Sequence, residues 1–122
     1  DDTYNANPES VRAAIDVLAQ APGRTILVFG DMGELGADAP RLHADLGAHA
    51  RDAQIDRMIT LGEHSAQAAR AFGAGAIHYN RIEDLLADLT KALTRDDTVL
   101  VKGSRFMRME RIVDALETRN DE

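Results

Sequence analysis

Short runs that are apolar at every position set the strongest limit on what this chain can fold into. Residues 25–29 (TILVF) and 98–101 (TVLV) show no alternation of apolar and polar side chains. A strand with one wet face alternates, because successive side chains point to opposite sides. A continuous run is expected where both sides are covered. Residues 57–61 (RMITL) read as another such strand and residues 76–79 as a weaker one. Between them lie stripes at helical spacing: Val11, Ala14, Ile15 and Leu18, then Leu42, Leu46 and Ala50, then residues 65–72. Ile82, Leu85, Leu86, Leu89 and Leu93 mark a fourth helix, and Met109, Ile112, Val113 and Leu116 a fifth. Asn7-Pro8 supplies an N-cap and a first helical residue whose missing N–H costs nothing there. The first helix is expected to end near Ala21-Pro22-Gly23, and the polar residues 118–122 to fray.

Strand–helix units repeated in this way predict an α/β fold, a mostly parallel sheet with helices on both faces. Right-handed crossovers then put any ligand against the loops that follow the carboxyl ends of the strands. The first seven residues fit the scheme as the end of a further strand and the turn behind it. No linker, internal repeat or low-complexity tract divides residues 1–122, so they read as one domain. A net charge of −7 argues against nucleic acid and anionic membrane as partners, and no apolar run is long enough to span a bilayer. The absence of Cys excludes disulfides and thiolate chemistry and fits a cytoplasmic protein.

Three loops carry groups suited to chemistry. The first holds Asp2, Tyr4, Asn5 and Asn7. Carboxylates and amides at a strand end suit ribose hydroxyls or a base edge. From local chemistry alone the commoner reading is that Asn7 serves only as a helix cap and Asp2 sits in a solvated turn. The second loop is GDMGELG, residues 30–36, whose Gly-x-x-Gly-x-x-Gly spacing is not the dinucleotide fingerprint. Asp31 and Glu34 put negative charge where a phosphate would sit, so an amine or a metal suits the loop better. The alternative is a flexible turn whose glycines supply positive φ and whose acids stay solvated.

The third loop is VKGSRFMRME, residues 101–110. Lys102, Ser104 and Arg105 follow a buried strand and precede a helix, with Gly103 permitting close backbone approach. A hydroxyl, a guanidinium fork and helix N-terminal amides make a carboxylate or phosphate receptor. Arg108 and Arg111 are expected on an exposed helix face, Met107 and Met109 in packing roles. His43, His49, His64 and His78 show no ligand spacing, and no metal site is expected. There is no Gly-x-x-x-x-Gly-Lys-Ser/Thr loop, so this segment cannot cradle a triphosphate by itself.

In order and spacing, DDTYNANPESVRAAIDVLA, VFGDMGELG and VLVKGSRFMRME resemble the C-terminal domain of the Mur ligases, over essentially the whole chain. The Tyr-Asn-Ala-Asn-Pro and Lys-Gly-Ser-Arg motifs resemble the member that adds a dipeptide, whereas sister ligases carry a His-containing version of the first motif. The resemblance implies a Rossmann-like fold and a three-domain enzyme, with an N-terminal UDP-substrate domain and a central ATPase domain upstream of Asp1. It implies ATP-dependent addition of D-alanyl-D-alanine to UDP-N-acetylmuramoyl-tripeptide through an acyl phosphate, in peptidoglycan precursor synthesis. ATP and Mg2+ would be held mainly by the central domain, the enzyme would be a monomer, and this domain alone would be inactive.

By the same resemblance Asp2 contacts the ATP ribose, with Tyr4, Asn5 and Asn7 near the nucleoside. Lys102, Ser104 and Arg105 match the loop of the incoming amino-acid substrate. That substrate is a zwitterion, and the chain offers a basic loop and an acidic one. Ser104 and Arg105 are therefore expected at its carboxylate, and Asp31 or Glu34 at its ammonium, where an acid could also assist deprotonation. Three other readings compete. A receiver-type signalling domain needs a phosphoacceptor Asp ending the middle strand, and Gly62 and Glu63 stand there instead. A folylpolyglutamate-synthase-like ligase fits the wider superfamily less well than the quoted motifs. A non-catalytic binding module describes the isolated domain.

Overall fold

Strand and helix alternate through the computed structural model, which describes residues 6–120. In chain order the elements are α1 (Pro8–Leu18), β1 (Arg24–Gly30), α2 (Ala39–Asp52), β2 (Arg57–Leu61), α3 (Ser65–Phe72), β3 (Ala76–Tyr79), α4 (Ile82–Ala92), β4 (Asp97–Lys102) and α5 (Glu110–Asn120). Single 3-10 turns, Gly36–Asp38 and Arg105–Met107, precede α2 and α5. Among the described residues the sheet has four strands in the order β3-β2-β1-β4, every pair parallel.

The unalternated runs have the expected cause. Leu27 and Phe29 of β1 pack with Val11, Ile15 and Leu18 of α1, Leu46 and Ala50 of α2, and Ala68 and Phe72 of α3. Ile26 and Val28, pointing the other way, pack with Leu85 and Leu89 of α4 and with Met109 and Ile112 beside and within α5. The strand between the two cores must therefore be apolar on both sides, and it is buried from Thr25 to Gly30. The edge strands β3 and β4 are less completely covered, and Ile77 of β3 is exposed.

Several local expectations change in the folded chain. α1 stops at Leu18, and the N–H groups of Gln20 and Ala21 turn back to the carbonyls of Val17 and Leu18. α5 continues through Thr118 to Asn120, where fraying was expected. Arg119 holds that last turn by donating from Nη2 to the Leu93 carbonyl at 2.8 Å. The buried line of α2 is His43, Leu46, Gly47 and Ala50, while Leu42 is only half-buried. Arg111 does not decorate a helix face, because its guanidinium reaches the carbonyls of Met107 and Arg108 at 2.8 and 2.9 Å. At the amino ends of β1 and β4, Arg24 forms a two-point pair with Asp97 at 2.7 and 2.9 Å. That guanidinium holds the Asp97 carboxyl below the usual carboxylate range.

The strand order places a reversal between β1 and β4. From β1 the chain steps to β2 and β3 over one face of the sheet, with α2 and α3. It then returns to the far side of β1 by way of α4 on the opposite face. At such a reversal the loops leaving two neighbouring strands diverge to opposite faces and open a crevice at their carboxyl ends. Here those loops are residues 31–38 and 103–109.

Candidate functional site

The acidic loop leaves β1 with three consecutive residues tied to three different parts of the fold. Asp31 is 4% exposed, and its carboxylate accepts the backbone N–H groups of Ser65 at 2.7 Å and His64 at 2.9 Å. These are the first amides of α3, whose own N-terminal residue provides no side-chain cap. A carboxylate at a helix N-terminus gains from two charge-assisted hydrogen bonds and from the helix dipole. Met32 donates its N–H to Nε2 of His43 at 3.0 Å. Gly33 donates its N–H to the hydroxyl of Ser104 across the crevice. Ser104 returns its own N–H to the Asp31 carbonyl at 2.9 Å, so the two loops are stitched together twice.

The next residue carries the strain. Glu34 has φ of +62°, a left-handed conformation that costs a non-glycine residue about 1–2 kcal/mol. Gly36 takes positive φ, +61°, as expected of the loop's glycines, but Gly33 does not, and the exposed Glu34 does so as well. Strain held by surrounding hydrogen bonds is common where a side chain must be presented.

The opposite wall comes from the 3-10 turn after β4. Arg105 and Phe106 are both exposed, Phe106 by 64%. Ala6, Asn7 and Leu35 complete an open groove of about 750 Å3 with Gly33, Glu34, Ser104, Arg105 and Phe106. The groove thus has an anionic side, a cationic side, a hydroxyl and an apolar wall. Such an arrangement fits a small ligand with both charges and some apolar surface.

Of the residues expected at a site, the structure brings Asn7, Glu34, Ser104 and Arg105 to this groove. Asp31 is a correction: its carboxylate is turned inward and committed to α3, so Glu34 is the acid available to a ligand. Lys102 is also buried, and it is not without a partner. Asn7 caps α1, its Oδ1 accepting the Ser10 N–H at 2.9 Å and its own N–H donating to Ser10 Oγ at 3.2 Å. Asp2, Tyr4 and Asn5 lie outside the described residues.

Gly103 makes close approach possible, but to the core. A Cβ there would come within 2.5 Å of Met109 Cγ. Met109 is fully buried, as a packing residue should be.

Sequence reasoning missed His43 and Phe106. His43 is fully buried, its ring 5.6 Å from both Phe29 and His64. Its place on the buried side of the α2 stripe was the available signal. Phe106 sits in a stretch with no periodicity, so nothing local distinguished it. Among the described residues no group of three His, Cys, Asp or Glu is placed to hold a metal ion, and no helix is long and apolar enough to cross a membrane.

Comparison with known proteins points one way. The family model described as Mur ligase, glutamate ligase domain, matches residues 2–105. The UDP-N-acetylmuramoyl-tripeptide–D-alanyl-D-alanine ligase of Escherichia coli (strain K12) is 42% identical over 119 residues, covering 96% of this chain and 26% of that protein. The Bacillus subtilis (strain 168) ligase of the same name is 36% identical, covering 92% of this chain and 26% of that protein. Among solved structures, MurF from Acinetobacter baumannii superposes with a TM-score of 0.87 at 34% identity, covering 97% of this chain and 27% of that one. MurF ligase from Thermotoga maritima in complex with ADP gives 0.84 at 30% identity, with 98% and 27% covered. The chain therefore spans about a quarter of the length of the relatives it matches.

Proposed function

Because the chain belongs to the Mur ligase family, we propose that it is the acceptor-binding domain of an ATP-dependent amide ligase joining D-alanyl-D-alanine to UDP-N-acetylmuramoyl-tripeptide. The observation that carries this reading is the groove at the β1/β4 reversal, where Glu34 faces the Ser104–Arg105 turn. A dipeptide zwitterion carries a carboxylate and an ammonium a few bonds apart, and the groove offers a complementary pair.

In this reading the Arg105 guanidinium and the Ser104 hydroxyl hold the dipeptide carboxylate, and Glu34 draws in the ammonium. The exposed Phe106 ring and Leu35 form the apolar wall against the alanyl methyls. Glu34 favours the charged amine, so its first contribution is to binding and orientation; the amine must still lose a proton before it attacks, and the same carboxylate is the nearest acceptor. Holding the amine in one place while water is excluded converts a bimolecular encounter into an oriented one. Asp2, Tyr4, Asn5 and Asn7 belong in this reading at the nucleoside edge of the domain. Lys102 belongs in this reading with the basic loop, at its β4 end.

The described residues do not fit a triphosphate or Mg2+. The exposed acid of the groove is Glu34, no three-ligand cluster exists among them, and the sequence has no phosphate-binding loop. We place both groups in domains upstream of this one, and residues 1–122 form a single domain of a monomeric, cytoplasmic enzyme of three. Detached from the others, the domain turns over nothing.

The test is steady-state kinetics of the full-length ligase carrying Arg105→Ala. Loss of a charge-assisted pair to a carboxylate corresponds to roughly 10- to 100-fold in affinity. The dipeptide KM should rise by about that factor while the ATP KM stays within about twofold. Equal impairment of both substrates would overturn the assignment.

A further inference from the structure

The buried imidazole of His43 takes no part in the groove itself, yet it is bonded to the strand-end loop that forms one wall. Its Nδ1 lies 2.6 Å from the Ala39 carbonyl and must donate there, which fixes the tautomer and leaves Nε2 with a free lone pair. That lone pair accepts the Met32 N–H at 3.0 Å. Two residues further on, Glu34 sits in its left-handed conformation. Between them Gly33 is tied to Ser104.

We propose that His43 is a positioning residue for the acceptor groove, holding through the Met32 amide the backbone that presents Glu34. The inference rests on the acceptor reading given above. Without an acceptor at Nε2, the Met32 N–H is left unpaired in a dry interior, and the loop gains by relaxing toward a conformation that rehydrates it. Glu34 then leaves its strained φ, and the carboxylate leaves the ammonium subsite.

The device has one protonation state that works. A doubly protonated ring would turn Nε2–H toward Met32 N–H, donor against donor. The titratable groups that face the ring are Asp31, from the loop after β1, and His64, at the start of α3; Phe29 of β1 adds an uncharged ring. Burial outweighs the hydrogen bond to the Ala39 carbonyl and the attraction of Asp31 and keeps the imidazole below its ordinary pKa, with His64 acting in the same direction as burial. The neutral form is thus maintained at neutral pH.

The experiment uses the full-length ligase with four proteins: wild type, His43→Phe, His43→Gln and Glu34→Gln. Phe keeps the ring shape and loses both hydrogen bonds. Gln offers a distal oxygen for the Met32 N–H and cannot be protonated. His43→Phe should raise the dipeptide KM about three- to tenfold and leave the ATP KM unchanged, and His43→Gln should recover most of that loss. The wild-type dipeptide KM should also rise at acid pH, below the ordinary imidazole range, where the buried ring finally takes a second proton. His43→Gln should lack that limb, which keeps the test open if the Phe variant does not fold.

A Glu34→Gln enzyme with raised dipeptide KM, beside His43 variants with none and a shared pH profile, overturns the positioning role alone. Uniform loss in kcat and both KM values without rescue by Gln also overturns it, in favour of a purely structural histidine. An unchanged dipeptide KM in Glu34→Gln overturns the acceptor reading and this inference with it.

Discussion

Asp31 is the residue for which two functional readings differ most, and replacing it with Ala separates them. The carboxylate is 4% exposed and receives two backbone N–H groups from the start of α3, at 2.7 and 2.9 Å. Ser65 is itself fully buried, so water cannot easily replace the lost acceptor at that amide. Hydrogen bonds to a charged group contribute about 1.5–3 kcal/mol each, and losses from one shared acceptor are less than additive. Asp31→Ala should therefore cost about 3 kcal/mol, a large share of the roughly 5–15 kcal/mol that holds a domain folded. Asp31→Asn keeps one carbonyl oxygen for Ser65 and should cost about half as much.

Urea denaturation monitored by circular dichroism reads both values from the midpoints at constant slope. A loss below about 0.5 kcal/mol in Asp31→Ala, or equal losses for Ala and Asn, would refute the capping role. So would an Asp31→Asn ligase with unchanged stability and a raised dipeptide KM. That last result would return Asp31 to the ammonium site.

Other outcomes follow from the same geometry. Gly47→Ala should lower the thermal midpoint although Ala favours a helix by about 1 kcal/mol, because the added Cβ would run into the Ala68 carbonyl of α3; a higher midpoint would show that α2 and α3 can separate freely. Glu34→Gly should raise stability in the same denaturation assay by up to about 1 kcal/mol, since glycine takes φ of +62° without strain, while the ligase loses dipeptide affinity. A neutral or negative stability change would mean that Glu34 is not strained. Asp97 has its folded pKa depressed by Arg24, so the pair's contribution is complete above the ordinary carboxylate range and is lost as pH falls through the lower folded value. Asp97→Asn should flatten the fall of urea midpoint below about pH 4, and an unchanged acid limb would assign it to other carboxyls.

What the sequence determined by itself was the architecture. Burial on both faces is written into every position of residues 25–29, and a helix buried on one face is written into a stripe such as Leu85 and Leu89. These signals are local, so the strands β1 to β4 and the helices between them fall where the pattern places them. The loops after β1 and β4 were legible as sites for a related reason. Strand ends in a parallel sheet are where backbone groups and polar side chains are not consumed by the ladder.

Only the tertiary structure decided what the groups in those loops do. Asp31 and Glu34 look equivalent in GDMGELG, yet Asp31 meets amides 33 and 34 residues further along, and Glu34 meets solvent. His43 reads as one more member of an α2 face, and its meaning comes from the Met32 amide that the fold brings to its Nε2. The strand order β3-β2-β1-β4 likewise follows from which faces α2 and α4 cover, and it alone sets Ser104 and Arg105 across from Glu34. Hydrophobic pattern is a property of neighbours in the chain. The pairing of one donor with one acceptor depends on segments that meet only when the chain is folded.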